Sequence, residues 1–327
     1  MDDRLTRRAF SATCLGSLGA NLALGDEPDH SAQNDAEKGN LNIATPTLGG
    51  KQFWSDRLVF RDLRVQRNVV TGHFRLLDEK NQRRAWGSFE HCREELDVLR
   101  REKKLAPLDG DVVVLLHGLF RSRGSMRKLH DRLAQTPEFT PINVGYPSTR
   151  GAVGEHAAAL ADVVAGLQVD GKIHFVAHSL GNLVIRHYLG DLAAKQEDAT
   201  SRFGRMVMLG PPNHQPQIAQ QLIPLDVSRQ ITGAAAWQLA RGWDELEPKL
   251  ATPPFPFGIL AGGGGSEGGR NPLLSGDDDL VVTVESTRLA GAADFRVLPV
   301  YHSFMMNNET VQNQTLEFLA HGYFESV

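Results

Sequence analysis

The apolar and polar positions change rhythm twice along the chain. Between residues 58 and 76 apolar residues come in short pieces, Leu58-Val59-Phe60, then Leu63-Arg64-Val65-Gln66, then residues 69–76 around Gly72, a pattern that predicts antiparallel strands joined by turns. Residues 90–104 are densely charged with Leu96 and Leu99 at helical spacing, which predicts a helix with one solvated face. From Asp111 the pattern becomes apolar segment, turn, amphipathic segment, repeated. Val112-Val113-Val114-Leu115-Leu116 shows no alternation, as expected of a strand buried on both faces of a parallel sheet. Helices are predicted at 126–133, 157–167 and 180–192, and strands at 141–144, 173–177 and 205–209. Such repeated units imply an α/β fold with a mostly parallel, doubly wound sheet and antiparallel lead-in strands, its crossovers right-handed.

Residues 211–256 break the rhythm. Helical segments at 218–225 and 234–246 lie between proline-containing ends, and we read this insertion as a small helical cap. Strand character returns at 257–261, a glycine-rich stretch follows at 262–275, and strands at 281–284 and 295–300 precede a last helix at 309–320. Residues 26–50 are polar, with almost no large apolar side chains, which predicts a disordered linker ahead of a single domain at 51–327.

Thr6-Arg7-Arg8-Ala9-Phe10, followed by a mildly apolar segment and Ala23-Leu24-Gly25, resembles a bacterial twin-arginine export signal. That resemblance implies removal of residues 1–25 and a periplasmic location. Cys14 falls inside this segment, leaving Cys92 as the one cysteine beyond it and no internal disulfide.

Composition narrows the function. A formal net charge of −4, with both signs mixed along the chain, gives no field for a nucleic acid. The 41% apolar content suffices for a large core. No uninterrupted apolar run approaches the roughly 20 residues that would span a bilayer.

The chemistry centres on Ile173-His174-Phe175-Val176-Ala177-His178-Ser179-Leu180-Gly181-Asn182. Small residues two before and two after Ser179 let the backbone pass itself closely at a sharp strand-to-helix turn. A serine needs a base, and the base needs a carboxylate to orient it. Asp277-Asp278-Asp279 and then His302 follow in the chain.

These residues in this order resemble the α/β-hydrolase superfamily, lipase and esterase branch, where Ala177 stands for the more usual glycine. The resemblance covers residues 111–327 and implies a catalytic triad of Ser179, Asp279 and His302. Asp279-Leu280-Val281-Val282 resembles the acid-bearing Asp-Gly-x-Val segment, but with Leu280 in the glycine's place, so Asp278 stays open as the alternative acid. Leu116-His117-Gly118-Leu119-Phe120 resembles an oxyanion loop, which with Leu180 implies an oxyanion hole of the Leu119 and Leu180 amides, Phe120 being the alternative donor.

The expected function is hydrolysis of carboxylic esters through an acyl-enzyme, on a small-molecule or lipid ester, without metal or organic cofactor. A lipid-linked thioesterase or amidase, and a non-catalytic binding module, are the competing readings. Three adjacent aspartates also suit Ca²⁺ by ligand type, but no EF-hand or nonapeptide pattern accompanies them.

Overall fold

A computed structural model describes residues 45–46, 51–198, 201–222, 233–265 and 268–325. The expected export segment at 1–25 lies outside these residues. So does the expected linker at 26–50, apart from Thr45–Pro46 (β1), which pairs antiparallel with Gln82 and Arg83.

Two sheets organise the rest. β1 joins Trp54–Phe60 (β2), Leu63–Asn68 (β3), Phe74–Leu77 (β4) and Gln82–Gly87 (β5) in an antiparallel sheet of order β1-β5-β4-β3-β2. β5 escaped the sequence pattern because Gln82-Arg83-Arg84 is polar, and its one fully buried side chain, Ala85, is small. Helix Phe89–Glu102 (α1) packs on this sheet through Cys92, Leu96 and Leu99, and Ser88 Oγ caps its start by accepting from His91 N–H at 3.2 Å.

The second sheet has six parallel strands in the order β11-β10-β9-β8-β6-β7. They are Asp111–Leu116 (β6), Phe139–Val144 (β7), Ile173–His178 (β8), Phe203–Leu209 (β9), Phe257–Gly262 (β10) and Asp294–Leu298 (β11). Both faces are buried, as the unbroken apolar runs predict. Val112, Val114 and Leu116 join Phe175, Ala177 and Met206 in one core, whereas Val113 and Leu115 join Val176, Val207 and Leu209 in the other.

Val153–Gly166 (α3) and Leu180–Ala194 (α4) fill the first core, and Arg127–Leu133 (α2) fills the second. The chain leaves β6 toward β7 on one side and returns as β8 on the other. The loops after β6 and β8 therefore border the crevice where ligands bind in open α/β sheets.

The insertion at 211–256 holds Gln217–Leu222 (α5), Ala234–Ala240 (α6) and Trp243–Leu246 (α7). The helix expected over 234–246 is two helices: Gly242 lies between them, where an added Cβ would come within 2.8 Å of the Trp237 ring. Ala251 N–H donates to Arg186 O at 3.1 Å, and Phe255 packs on Phe175 and Phe203, which fixes the end of the insertion to α4 and the first core.

The expected strand at 281–284 is absent. Asp279 Oδ1 accepts the amides of Val281 and Val282, curling the chain into a turn, and Thr283 then caps a short helix, Val284–Thr287 (α8). The final helix, Glu309–His321 (α9), buries Val311, Phe318 and Leu319 in the second core and ends on Gly322 at φ +85°. No helix among the described residues is long and apolar enough to cross a membrane.

Candidate active site

Ser179 stands at the junction of β8 and α4 with φ +53° and ψ −123°, a backbone conformation that L-residues avoid. The structure around it holds that strain. Ser179 N–H donates to Leu209 O at 2.9 Å, and Asn182 Nδ2 donates back to Ser179 O at 3.0 Å. At Gly181 a Cβ would lie 2.9 Å from the carbonyl oxygens of Leu116 and His117, so only glycine lets α4 start this close to the end of β6. Ser179 itself is half-buried, unlike its flanking residues His178 and Leu180.

His302 and Asp279 meet across the ends of the last strands. Nδ1 of His302 lies 2.7 Å from Asp279 Oδ2, and His302 N–H donates to Asp279 O at 3.0 Å. Asp279 is fully buried, and its other oxygen accepts Val281 N–H at 3.0 Å and Val282 N–H at 2.7 Å. Both carboxylate oxygens thus have hydrogen-bond partners.

Leu280, where glycine was expected, adopts φ +85°. The backbone takes the glycine-like conformation with a leucine in it. Asp278, the alternative acid, turns elsewhere: it accepts Arg270 N–H at 2.7 Å, Asn271 N–H at 3.1 Å and Leu280 N–H at 2.7 Å. Asp277 accepts the amides of Gly264 and Gly265 at 2.6 and 3.0 Å. The three adjacent aspartates thus serve three different partners, and no group of three or more His, Cys, Asp or Glu among the described residues is placed to hold a metal.

Tight packing brings these parts together. A Cβ on Gly118 would lie 3.0 Å from Ser179 Cβ and 2.9 Å from His178 Nδ1, so the loop after β6 rests against the serine turn. A Cβ on Gly210, at φ +51°, would meet His302 Nδ1 at 3.1 Å and Asp279 Oδ2 at 3.3 Å. Gly210 follows Leu209, whose carbonyl holds Ser179 N–H, so one turn seats both halves of the site.

His178 links them further. Its Nε2 donates to His302 O at 2.9 Å and the two rings lie 4.6 Å apart between centroids. Burial, with His302 beside it, holds His178 well below the usual imidazole range, so it is a neutral strut. Arg270 adds a second strut unseen in the sequence, donating to Val300 O and Gly263 O at 3.0 Å each.

Leu119 is half-buried in the loop after β6 and Phe120 exposed, at φ +57°. His117, before them, is fully buried. Its ring stacks 4.2 Å from that of Tyr146, whose hydroxyl donates to His117 O, and burial pushes its pKa down to about 4. Exposed apolar side chains stand close in sequence to the loop after β6, to Asp279 and to His302: Phe120, Leu280, Tyr301 and Phe304.

A strained serine at a strand-to-helix turn, with a buried His–Asp pair at the ends of the same parallel sheet, accords with the family comparison: the alpha/beta hydrolase family matches residues 113–311. The chain belongs to the alpha/beta hydrolase family. Solved structures similar to this hydrolase include the mature lipase BlEst2 of Bacillus licheniformis, 18% identical with a TM-score of 0.47, covering 65% of this chain and 91% of that one. A thermophilic esterase of Thermogutta terrifontis is 16% identical with a TM-score of 0.43, covering 66% and 92% of the two chains. No curated protein matches the sequence.

Proposed function

We propose that this alpha/beta hydrolase cleaves carboxylic esters by acyl transfer to Ser179. The observation that carries the reading is the pairing of His302 Nδ1 with the buried Asp279 carboxylate, beside a serine held at positive φ. With Nδ1–H committed to Asp279, Nε2 is the basic end of the ring. It takes the Ser179 proton as Oγ attacks the ester carbonyl, and the resulting imidazolium is stabilised by Asp279.

The tetrahedral oxyanion is held by the amides of Leu119 and Leu180, at the loop after β6 and the start of α4. Collapse expels the alcohol, which receives the proton from His302. Water, deprotonated by the same nitrogen, then hydrolyses the acyl-enzyme and restores Ser179. The chemistry needs no cofactor. The exposed apolar side chains of Phe120, Leu280 and Phe304 suit an acyl chain better than a polar one.

The Ser179→Ala variant tests this reading directly. Turnover of p-nitrophenyl butyrate should vanish, and a fluorophosphonate should label the wild type at Ser179 alone; retained turnover or labelling elsewhere refutes it. Comparing butyryl with palmitoyl esters ranks chain length, and inertness to both with cleavage of a thioester reverses the preference for oxygen esters. The Arg7-Arg8 pair motivates export to the periplasm, which predicts cytoplasmic retention when both are replaced by lysine.

A further inference from the structure

The antiparallel sheet is built inside out on one face. Its alternate positions Arg64, Gln66 and Arg75 are buried, yet they are polar, and they face the edge of the parallel sheet near Asn143 and Gly145 around a cavity of about 430 Å³. Burying such groups is costly unless each finds a partner.

Part of the set is satisfied internally. Asp56, fully buried, accepts from Arg64 Nη1, Gln66 Nε2 and Gly145 N–H, all at 2.7 Å. That neutralises one guanidinium. Arg75 is held rigidly instead, donating from Nε and Nη2 to Gln66 Oε1 at 3.0 and 2.8 Å while lying 3.8 Å over the Trp54 ring. Arg123, on the cavity's other wall, donates to Asn81 Oδ1.

Neither Arg75 nor Arg123 forms an ion pair with a carboxylate among the described residues. Of the carboxylates in the lining, Glu79 is paired with Lys103 at 2.6 Å, and Asp62 acts on Arg123 through space without an ion pair. Burial pushes Arg75 down to about 10, and burial with Arg64 nearby lowers Arg123 as well; Asp56 acts on both, and Asp62 on Arg123, only through space, so neither guanidinium has a carboxylate at ion-pair distance.

Three further buried atoms in the wall have no partner among the described residues: the donor Arg64 Nε and the acceptors Asn143 Oδ1 and His117 Nε2. His117 Nε2 is an acceptor because Nδ1 lies 2.9 Å from Gly118 O and carries the proton.

We infer that this cavity is a second ligand site, distinct from the serine site, which binds a small phosphate monoester bearing a hydroxyl group. Two guanidiniums with no carboxylate at ion-pair distance suit a phosphate dianion, about −1.5 to −2 at neutral pH, and planar guanidinium forks suit its oxygens. The unpartnered acceptors Asn143 Oδ1 and His117 Nε2 match a ligand hydroxyl. Because His117 both lines the cavity and leads into Gly118-Leu119, the ligand would sit directly behind the loop proposed to hold the oxyanion.

The test is calorimetric titration of the full chain with glycerol 3-phosphate, n-propyl phosphate and glycerate at matched ionic strength. Saturable one-to-one binding of glycerol 3-phosphate is expected, with n-propyl phosphate at least threefold and glycerate at least tenfold weaker. Arg75→Gln and Arg123→Gln should each weaken glycerol 3-phosphate roughly tenfold or more. Ser179→Ala should leave it unchanged, which separates this site from the hydrolytic reading.

The ranking of the three ligands needs only the wild type, so a variant that fails to fold does not blunt the test. No saturable binding, or binding indifferent to both arginine substitutions in folded variants, overturns the site. Glycerate binding as tightly as glycerol 3-phosphate overturns the phosphate assignment, and equal binding of n-propyl phosphate overturns the hydroxyl.

Discussion

Two fully buried carboxylates, Asp56 and Asp279, solve the same electrostatic problem in different ways. Asp56 is matched by the permanent cation of Arg64, a side-chain amide and one backbone amide. Asp279 receives two backbone amides and an imidazole. Both are well satisfied, but only the second leaves a titratable ring whose other nitrogen is available for proton transfer. A buried ion pair with arginine can brace a sheet interface, whereas a buried carboxylate on histidine can also prepare a base.

The sharpest way to break this contrast is to neutralise each carboxylate in turn. Asp279→Asn should lower kcat for a p-nitrophenyl ester by roughly 10⁴-fold, since the imidazole loses both its orientation and the compensation of its charge, while the melting temperature changes little. Asp56→Asn should do the opposite. It leaves Arg64 buried without a counter-charge and should cost about 3–5 kcal/mol in urea unfolding, with kcat per folded molecule nearly unchanged.

A further split lies between neighbours. Asp278→Asn should reduce kcat less than tenfold and stability by about 1–2 kcal/mol, because its three amide partners brace the loop without touching His302. A loss of activity as deep as that of Asp279→Asn would reassign the acid.

The smallest effect concerns pH. Burial lowers His117 to about 4 and His156 to about 3, against roughly 6.5 in an unfolded chain. Both are neutral when folded, so their contribution is complete above about pH 6.5 and is lost as pH falls toward about 4, where the unfolded chain binds more protons. Urea midpoints measured from pH 7 to 4 should fall, and His156→Phe should flatten that fall; an equal slope in the variant would refute the assignment.

Much of the parallel sheet was legible because a strand buried on both faces must be apolar throughout, as residues 112–116 and 173–177 are. The antiparallel sheet was harder to read. β5 hides in a polar segment, and the burial of Arg64, Gln66 and Arg75 depends on a partner surface that alternation cannot reveal. Val281-Val282-Thr283-Val284 has strand composition, yet the carboxylate of Asp279 captures two of its amides and turns it. There a local side-chain contact outweighed propensity.

The order of serine, aspartate cluster and histidine, and the small residues around Ser179, are properties of the covalent chain. Which aspartate meets His302 was decided only by how the chain turns at residues 277–282. Its folding sends three adjacent carboxylates to three separate sets of donors, and a choice among neighbours one residue apart depends on directions that composition and spacing do not encode.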